Sequence, residues 1–187
     1  MRSNPIIGHR ISVIGTSGSG KTTTAQEIAN RLQIPHIELD ALHWGPNWAE
    51  TPIDEFRTKV ENSLKGTKWV INGNYGKVRD IVWSRADTIF WLDYSLPRIM
   101  WQLIKRTFRR VALKEKLWGG NRESLSTTLL SKDSILLWAL TSYQRRKRQY
   151  PQLFEMKENS HLAVIRARNP KHTRQFLSRL GNDNKSI

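Results

Sequence analysis

The chain contains no cysteine, which excludes disulfide bonds and every zinc site built on thiolates. It also lacks any apolar run long enough to cross a bilayer, and residues 1–9 lack the apolar stretch of a signal peptide. No internal repeat, linker or low-complexity tract divides the 187 residues. These absences predict one domain over residues 1–187, in the cytoplasm and without a membrane partner.

Acidic residues are scarce in the second half of the chain. Residues 1–100 carry 12 Lys or Arg and 10 Asp or Glu, whereas residues 101–187 carry 19 and 6, within a total net charge of +15. A basic half can serve nucleic acid, an acidic membrane surface or a polyphosphate substrate, or can be a solvated face without one partner. Composition alone leaves these alternatives open.

The octet at residues 15–22 is a complete G-x-x-x-x-G-K-[ST] phosphate-binding loop. An apolar run precedes it and a helical pattern follows it, which is the strand–turn–helix context that this motif requires. Its backbone N–H groups are expected to wrap the phosphates of ATP, with Lys21 at the β- and γ-phosphates and the Thr22 hydroxyl on Mg²⁺. The predicted nucleotide contacts are Gly15, Thr16, Ser17, Gly18, Ser19, Gly20, Lys21, Thr22 and Thr23.

Short apolar segments alternate with amphipathic ones along the chain, which predicts an α/β protein with a parallel sheet covered on both faces. Ligands of such sheets lie at the carboxyl ends of the strands. The predicted strands are residues 10–14, 36–40, 68–72, 88–94 and 161–166. The predicted helices are residues 22–32, 53–64, 96–111, 132–148 and 171–180.

Asp40 ends the second predicted strand, where a carboxylate can hold Mg²⁺ or accept a proton from a hydroxyl that is being phosphorylated. It can equally be a turn residue. His43 and Trp44 follow, and each is either a substrate contact or a structural residue. The pocket expected for the phosphoryl acceptor is lined by Asp40, His43, Trp44, Asn74, Tyr75 and Arg79.

Two arginine clusters flank a glycine-containing segment in the basic half. Arg106 and Arg110 lie four residues apart on one helix face, and Arg145, Arg146 and Arg148 end the next helix. Basic residues at helix ends can simply complement the helix dipole. Phosphoryl transfer also needs cations that a lid brings to the reacting phosphate, so the sequence favours at least one catalytic arginine here, with Arg106 and Arg110 as candidates.

These motifs together resemble the small P-loop kinases, the group that contains adenylate, shikimate and gluconate kinases, and within it the adenylate-kinase-related topology modulation (FlaR-like) proteins. The resemblance implies a three-layer α/β/α P-loop NTPase fold with a five-stranded parallel sheet in 2-3-1-4-5 order. It also implies an acceptor-binding region at about residues 41–65 and a helical lid at about residues 112–131. Similar kinases usually carry Asp where this chain has Asn72, so the resemblance puts the Mg²⁺-supporting carboxylate at that position in doubt and leaves Asp40 to supply it.

Three functions remain open from the sequence. The leading one is transfer of the ATP γ-phosphate to a small nucleotide or sugar-like acceptor, with Arg57 or Arg79 gripping the phosphate if the acceptor is a monophosphate. The second is a nucleic-acid-associated ATPase or polynucleotide kinase, suggested by the basic half. The third is a nucleotide-binding regulator of DNA topology with little turnover, suggested by Asn72. We expect at most weak nucleic-acid binding, because no recognised nucleic-acid module is present.

Overall fold

The structure, a computed structural model, describes residues 8–122 and 135–180. Five parallel strands form one sheet in the order β2-β3-β1-β4-β5, which confirms the predicted order. The strands are β1 (Arg10–Gly15), β2 (His36–Glu38), β3 (Trp69–Asn72), β4 (Thr88–Leu92) and β5 (Ala163–Ala167).

Helices cover both faces of the sheet. They are α1 (Lys21–Leu32), α2 (Leu39–His43), α3 (Ile53–Ser63), α4 (Arg79–Arg85), α5 (Leu96–Ala112), α6 (Ile135–Glu155) and α7 (Pro170–Leu180). Short 3₁₀ turns lie at Pro46–Trp48, Gly76–Val78, Trp118–Gly120 and Lys157–Asn159. No helix in these described ranges is both long and apolar enough to span a membrane.

Alternate residues of the central strands point to opposite faces and build two separate apolar clusters. Ile89 and Trp91 of β4 join the cluster under α3 and α4, whereas Phe90 and Leu92 join the cluster under α1, α5 and α7. All four side chains are buried, because the parallel strands are covered on both sides. The sheet is therefore a rigid support whose carboxyl edge presents the loops.

The structure corrects the predicted position of Asp40. Strand β2 ends at Glu38, which pairs with Asn72, the last residue of β3, so the next residues have no strand to pair with. The chain turns into the short helix α2, and Asp40 lies in its first turn rather than at the end of the strand. The end of a strand is thus set by its neighbour, which a pattern read along one segment does not reveal.

Other boundaries also shift. Strand β4 ends two residues before the predicted Tyr94, because Leu92 pairs with Gly15 at the end of β1. Helix α6 continues through Pro151 to Glu155, where Tyr150 and Phe154 pack on Trp83 and Trp91 with ring centroids 5.6 to 6.3 Å apart. This aromatic packing extends the helix beyond the predicted residue 148. Helix α4 was not predicted, since its seven residues are too few for a clear periodicity.

Candidate active site

The phosphate-binding loop connects the central strand β1 to helix α1. Gly18 has φ +84°, and a Cβ there would lie 2.8 Å from the carbonyl oxygen of Ile99 and 2.9 Å from Cβ of Leu103. Only glycine allows both this backbone angle and the close packing of α5 on the loop. Helix α1 begins directly at Lys21, so the positive end of its dipole faces the loop. The fold therefore builds the predicted anion nest at the carboxyl edge of the sheet.

Lys21 is surrounded by charges of both signs. Its Nζ donates to the carbonyl oxygen of Thr16 at 3.2 Å. Burial, followed by repulsion from Arg146 and Arg106, lowers the pKa of Lys21 to about 7, and attraction by Asp40 and Glu38 only partly opposes this. A lysine crowded by arginines in this way is typical of a site that binds a multiply charged anion.

A second carboxylate, Glu38, lies at the Thr22 hydroxyl, and sequence reasoning missed it. Thr22 Oγ1 donates to Glu38 Oε1 at 2.9 Å, and Nδ2 of Asn72 donates to Thr22 Oγ1 at 3.3 Å. Asn72 Oδ1 lies 2.5 Å from Nε2 of His36, which fixes the orientation of the amide. Glu38 is the last residue of β2, two positions before Asp40, and no signal in the sequence marks it, because this strand end is set by the pairing with Asn72.

Asp40 lies beside a cluster of aromatic side chains, here called the aromatic wall. Tyr75 donates its hydroxyl proton to Asp40 Oδ1 at 2.5 Å, and burial together with Asp40 raises the pKa of Tyr75. His43 is 6% exposed, and its ring lies 4.6 to 4.9 Å from the rings of Trp44, Phe56 and Tyr75. Burial lowers the pKa of His43, which keeps the imidazole neutral at pH 7. Asp40, His43, Trp44 and Tyr75 thus come together as the sequence predicted.

The side chain of Asn74 bonds to the start of the phosphate-binding loop. Its Nδ2 donates to the carbonyl oxygen of Gly15, and its Oδ1 accepts from the Gly15 N–H at 3.3 Å and from the Tyr150 hydroxyl at 3.2 Å. The side chain therefore fastens the start of the phosphate-binding loop to the end of β3. Asn74 also lines the small cavity that contains Tyr75 and Arg79, and its role in acceptor binding stays a prediction.

Arg57 and Arg79 are the two arginines predicted to bind the phosphate of a monophosphate acceptor, and their surroundings differ. Arg57 forms a bidentate pair with Asp80, at 3.1 and 2.7 Å, and also donates to the carbonyl oxygen of Lys77 at 2.6 Å. Arg79 stacks on Trp83, with the guanidinium carbon 5.4 Å from the ring centroid, and lines a small cavity together with Tyr75. Because its charge is already paired, Arg57 is a poor candidate, and Arg79 remains the better one.

The arginines of the basic half are also unequal. Arg106 lies close enough to Lys21 to lower its pKa, whereas Arg110 forms an ion pair with Glu115 at 3.7 Å. Arg146 of α6 is 7% exposed and has a stronger effect on Lys21 than Arg106 has, although sequence reasoning did not single it out. Residues 123–131 of the predicted lid lie outside the described residues.

The described part of the predicted lid contacts the predicted acceptor region. Asn121 donates to the carbonyl oxygen of Gly45 at 2.8 Å and accepts from the Trp48 N–H at 3.0 Å. Trp118 donates its indole N–H to Glu38 Oε2 at 2.7 Å. Two segments that are far apart in the sequence therefore meet beside the Thr22 hydroxyl.

Comparisons with known proteins agree with this architecture. The family described as the ATPase family associated with various cellular activities (AAA) matches residues 11–93. The uncharacterized protein YqaC of Bacillus subtilis is 28% identical over 127 residues, which cover 67% of this chain and 71% of that protein. A cytidylate kinase of Fervidobacterium nodosum is 22% identical over 154 residues, which cover 77% of this chain and 69% of that protein.

Among solved structures, a shikimate kinase from Bacteroides thetaiotaomicron is similar, with a TM-score of 0.54 and 15% identity. The likeness covers 94% of this chain and 98% of that chain. At this identity the likeness concerns the fold. Together with the sheet order and the loop between β1 and α1, it shows that the chain has the three-layer α/β/α P-loop NTPase fold.

Proposed function

We propose that this protein is an ATP-dependent phosphotransferase that moves the γ-phosphate of ATP to a small organic acceptor. One observation carries the proposal: Asp40 lies near Lys21 and is held by Tyr75 against the wall of His43, Trp44 and Phe56. A carboxylate between the phosphate lysine and a cluster of aromatic side chains is suited to accept the proton of a hydroxyl that is being phosphorylated. The kinase names of the similar proteins support the same reading.

The nucleotide side supplies positive charge. The loop N–H groups and Lys21 would bind the β- and γ-phosphates, and Arg146 and Arg106, which lie near Lys21, would stabilise the charge that spreads over the transferred group. Phosphoryl transfer depends mainly on positioning and on electrostatic stabilisation, and this cluster provides both. We propose Lys21, Arg146 and Arg106 for this task, whereas Arg110, the other arginine predicted from the sequence, is paired with Glu115.

The oxygen atoms around Thr22 fit Mg²⁺, which prefers hard oxygen ligands. The Thr22 hydroxyl proton points to Glu38, and one lone pair of its oxygen accepts from Asn72, which leaves the other lone pair for a cation. Thr22 and Glu38 would hold the ion, with Asp40 as the further carboxylate predicted from the sequence. Bound there, Mg²⁺ would neutralise charge on the phosphates. In the described residues no group of three Asp, Glu or His side chains could hold a metal ion.

On the acceptor side, Asp40 is the proposed general base. As the acceptor oxygen bonds to the γ-phosphorus, its O–H bond breaks and the proton passes to the Asp40 carboxylate. The bond between the γ-phosphorus and the β–γ bridging oxygen breaks, and ADP leaves. Tyr75 holds the carboxylate in place through Oδ1, which leaves Oδ2 for the acceptor hydroxyl.

The pocket favours a nucleotide or a sugar-like acceptor. His43, Trp44 and Tyr75 offer aromatic faces, while Arg79 offers a cation for a phosphate or carboxylate. We propose the region at about residues 41–65 as the acceptor segment and the region at about 112–131 as the lid of a single domain. The finer resemblance to the FlaR-like proteins remains a prediction.

An acceptor panel tests the proposal. Nucleoside monophosphates, sugars and sugar acids would each be incubated with ATP and Mg²⁺, and phosphorus NMR would identify the phosphorylated product. We expect one class to consume ATP in proportion to product. ATP loss without a phosphorylated acceptor across all three classes would contradict the proposal.

A second candidate, a nucleic-acid-associated ATPase, is favoured by one observation on the outer face of α5. Trp101 is 57% exposed and lies between Arg98 and Lys105, at 5.9 and 5.2 Å from its ring centroid. Aromatic and basic side chains in alternation can bind single strands through stacking and charge. We expect salt-sensitive DNA binding without any change in ATP turnover, and a robust stimulation of turnover by DNA would reverse the ranking.

A further inference from the structure

Residues 117–121, here called the arm, form a tight turn that is stabilised from within. The Leu117 N–H donates to the Asn121 carbonyl oxygen at 2.7 Å, and the Gly120 N–H donates to the Leu117 carbonyl oxygen at 2.9 Å. Gly119 between them has φ +65°. This turn fixes the direction in which Trp118 leaves the backbone.

The arm packs on the turn at Pro46–Trp48, and this contact is here called the seat. Asn121 is 7% exposed, and its amide bonds to both Gly45 and Trp48, which bracket that turn. A Cβ on Gly119 would lie 2.5 Å from the carbonyl carbon of Gly45, so the two backbones touch. The seat therefore depends on glycine at position 119, for contact as well as for backbone angle.

Trp118 and Thr22 divide the two oxygens of Glu38 between them. The indole N–H donates to Oε2 at 2.7 Å and the Thr22 hydroxyl donates to Oε1 at 2.9 Å. A glutamate has three side-chain torsions and loses entropy when it is held in one orientation. The indole holds Glu38 in the orientation that meets Thr22.

We propose that Trp118 is a positioning residue for the cation site of Thr22 and Glu38. The contact between the arm and the Pro46–Trp48 turn then couples this site to the acceptor segment. The inference rests on the proposed function for its acceptor part. Trp118 itself touches neither the phosphates nor the acceptor; it acts through Glu38. Since such coupling is reciprocal, a change in the seat alters cation binding, and cation binding stabilises the seat.

The test separates the cation from the nucleotide. ATP affinity is measured by calorimetry with saturating Mg²⁺ and again with EDTA, and the ratio of the two affinities is the readout. Trp118→Phe keeps an aromatic ring but removes the donor. We expect the ratio to fall by about threefold to tenfold, the usual net contribution of one hydrogen bond, while the affinity in EDTA stays unchanged.

Gly119→Ala probes the seat without altering a polar group. We expect a fall of the ratio in the same direction, with thermal unfolding recorded to verify that the variant is folded. Phe108→Leu, a conservative substitution at an exposed aromatic side chain of α5, is the control and should leave the ratio unchanged. In the double variant Trp118→Phe with Glu38→Gln, the ratio should fall no further than in Glu38→Gln alone, because both changes act on one interaction.

Two results would overturn the inference. One is a wild-type protein whose ATP affinity does not depend on Mg²⁺. The other is a Trp118→Phe ratio equal to that of the wild type, whether the variant loses no affinity or loses it equally with Mg²⁺ and with EDTA. A Gly119→Ala ratio equal to that of the wild type would overturn the coupling to the acceptor segment. None of these measurements uses phosphoryl transfer, so a failure of the acceptor panel leaves the result for Trp118 intact and is recognised separately.

Discussion

The nucleotide side and the proposed acceptor side of this protein are built in opposite ways. The nucleotide side is a contiguous stretch at residues 15–22 whose backbone N–H groups and one lysine are proposed to bind phosphate. The acceptor side collects side chains from α2, α3 and the segment after β3, and its centre is a neutral aromatic wall around Asp40. The first side depends on fixed positive charge, whereas the second depends on packing between elements.

This difference separates binding from chemistry. Changes on the nucleotide side should reduce affinity for ATP, because they remove charge that attracts phosphate. Changes on the acceptor side should reduce the transfer rate or the acceptor affinity and leave ATP binding intact. Each of the following predictions tests this separation.

Lys21→Ala should have the largest effect. It removes the cation at the centre of the loop, so phosphoryl transfer should be abolished and ATP affinity should fall by about tenfold or more. Calorimetry measures the affinity and the acceptor assay measures transfer. Unchanged ATP affinity in a folded variant would refute the assignment of the loop.

Asp40→Asn should lower the rate of transfer by about two to four powers of ten, the usual range for a positioned acid–base group. ATP affinity should change little, because the loop and Lys21 remain in place. Asn72→Asp is the informative companion: at saturating Mg²⁺ it should leave or raise activity, since the added carboxylate faces a cation. Full activity of Asp40→Asn with a verified acceptor would show that Asp40 is only a helix residue.

ATP affinity should depend on pH through Lys21. Its pKa in the free protein is about 7, and the phosphates of bound ATP raise that pKa again, so binding above pH 7 takes up a proton. Affinity should be level below pH 7 and fall by up to about tenfold per unit above it. Calorimetry in buffers of different ionisation enthalpy detects the proton uptake, and Lys21→Ala should remove it.

The same group contributes to folding with a defined sign. The pKa of Lys21 is lower in the folded chain than in the unfolded chain, where it has its ordinary value of 10.5. The unfolded chain therefore binds the extra proton between about pH 7 and 10.5, and the free energy of unfolding contributed by Lys21 rises over that range. Chemical unfolding of the wild type and of Lys21→Ala at pH 7 and pH 9 measures this contribution. If the free energy of unfolding rises as much in the variant as in the wild type, the contribution of Lys21 is contradicted.

Arg79→Ala should have the smallest effect, confined to the acceptor. If the acceptor carries a phosphate, its KM should rise roughly fivefold, the loss expected for a half-exposed ion pair. Arg57→Ala is the matched control and should leave KM unchanged, because Arg57 is engaged by Asp80. An effect of Arg57→Ala larger than that of Arg79→Ala would exchange their proposed roles.

The sequence predicted the nucleotide side and the sheet well for physical reasons. The phosphate-binding loop works through consecutive backbone N–H groups and glycines, so eight consecutive residues are enough to predict its geometry. The five strands are short apolar runs, and each was identified to within a few residues at either end. Strand ends were predicted less accurately, as β2 shows. Its pairing stops with Asn72 of β3, so Asp40 lies in α2 and not in the strand.

By itself the sequence determined which chemistry is present: the phosphate loop, the Asp40 carboxylate and the basic second half. Only the tertiary structure decided how these groups are partnered. Glu38 meets Thr22 and Trp118, Asn74 is fastened to Gly15, and Arg57 is paired with Asp80. These partners lie 16 to 80 residues apart, and no local pattern specifies them, because the sheet order and the packing of the arm bring them together.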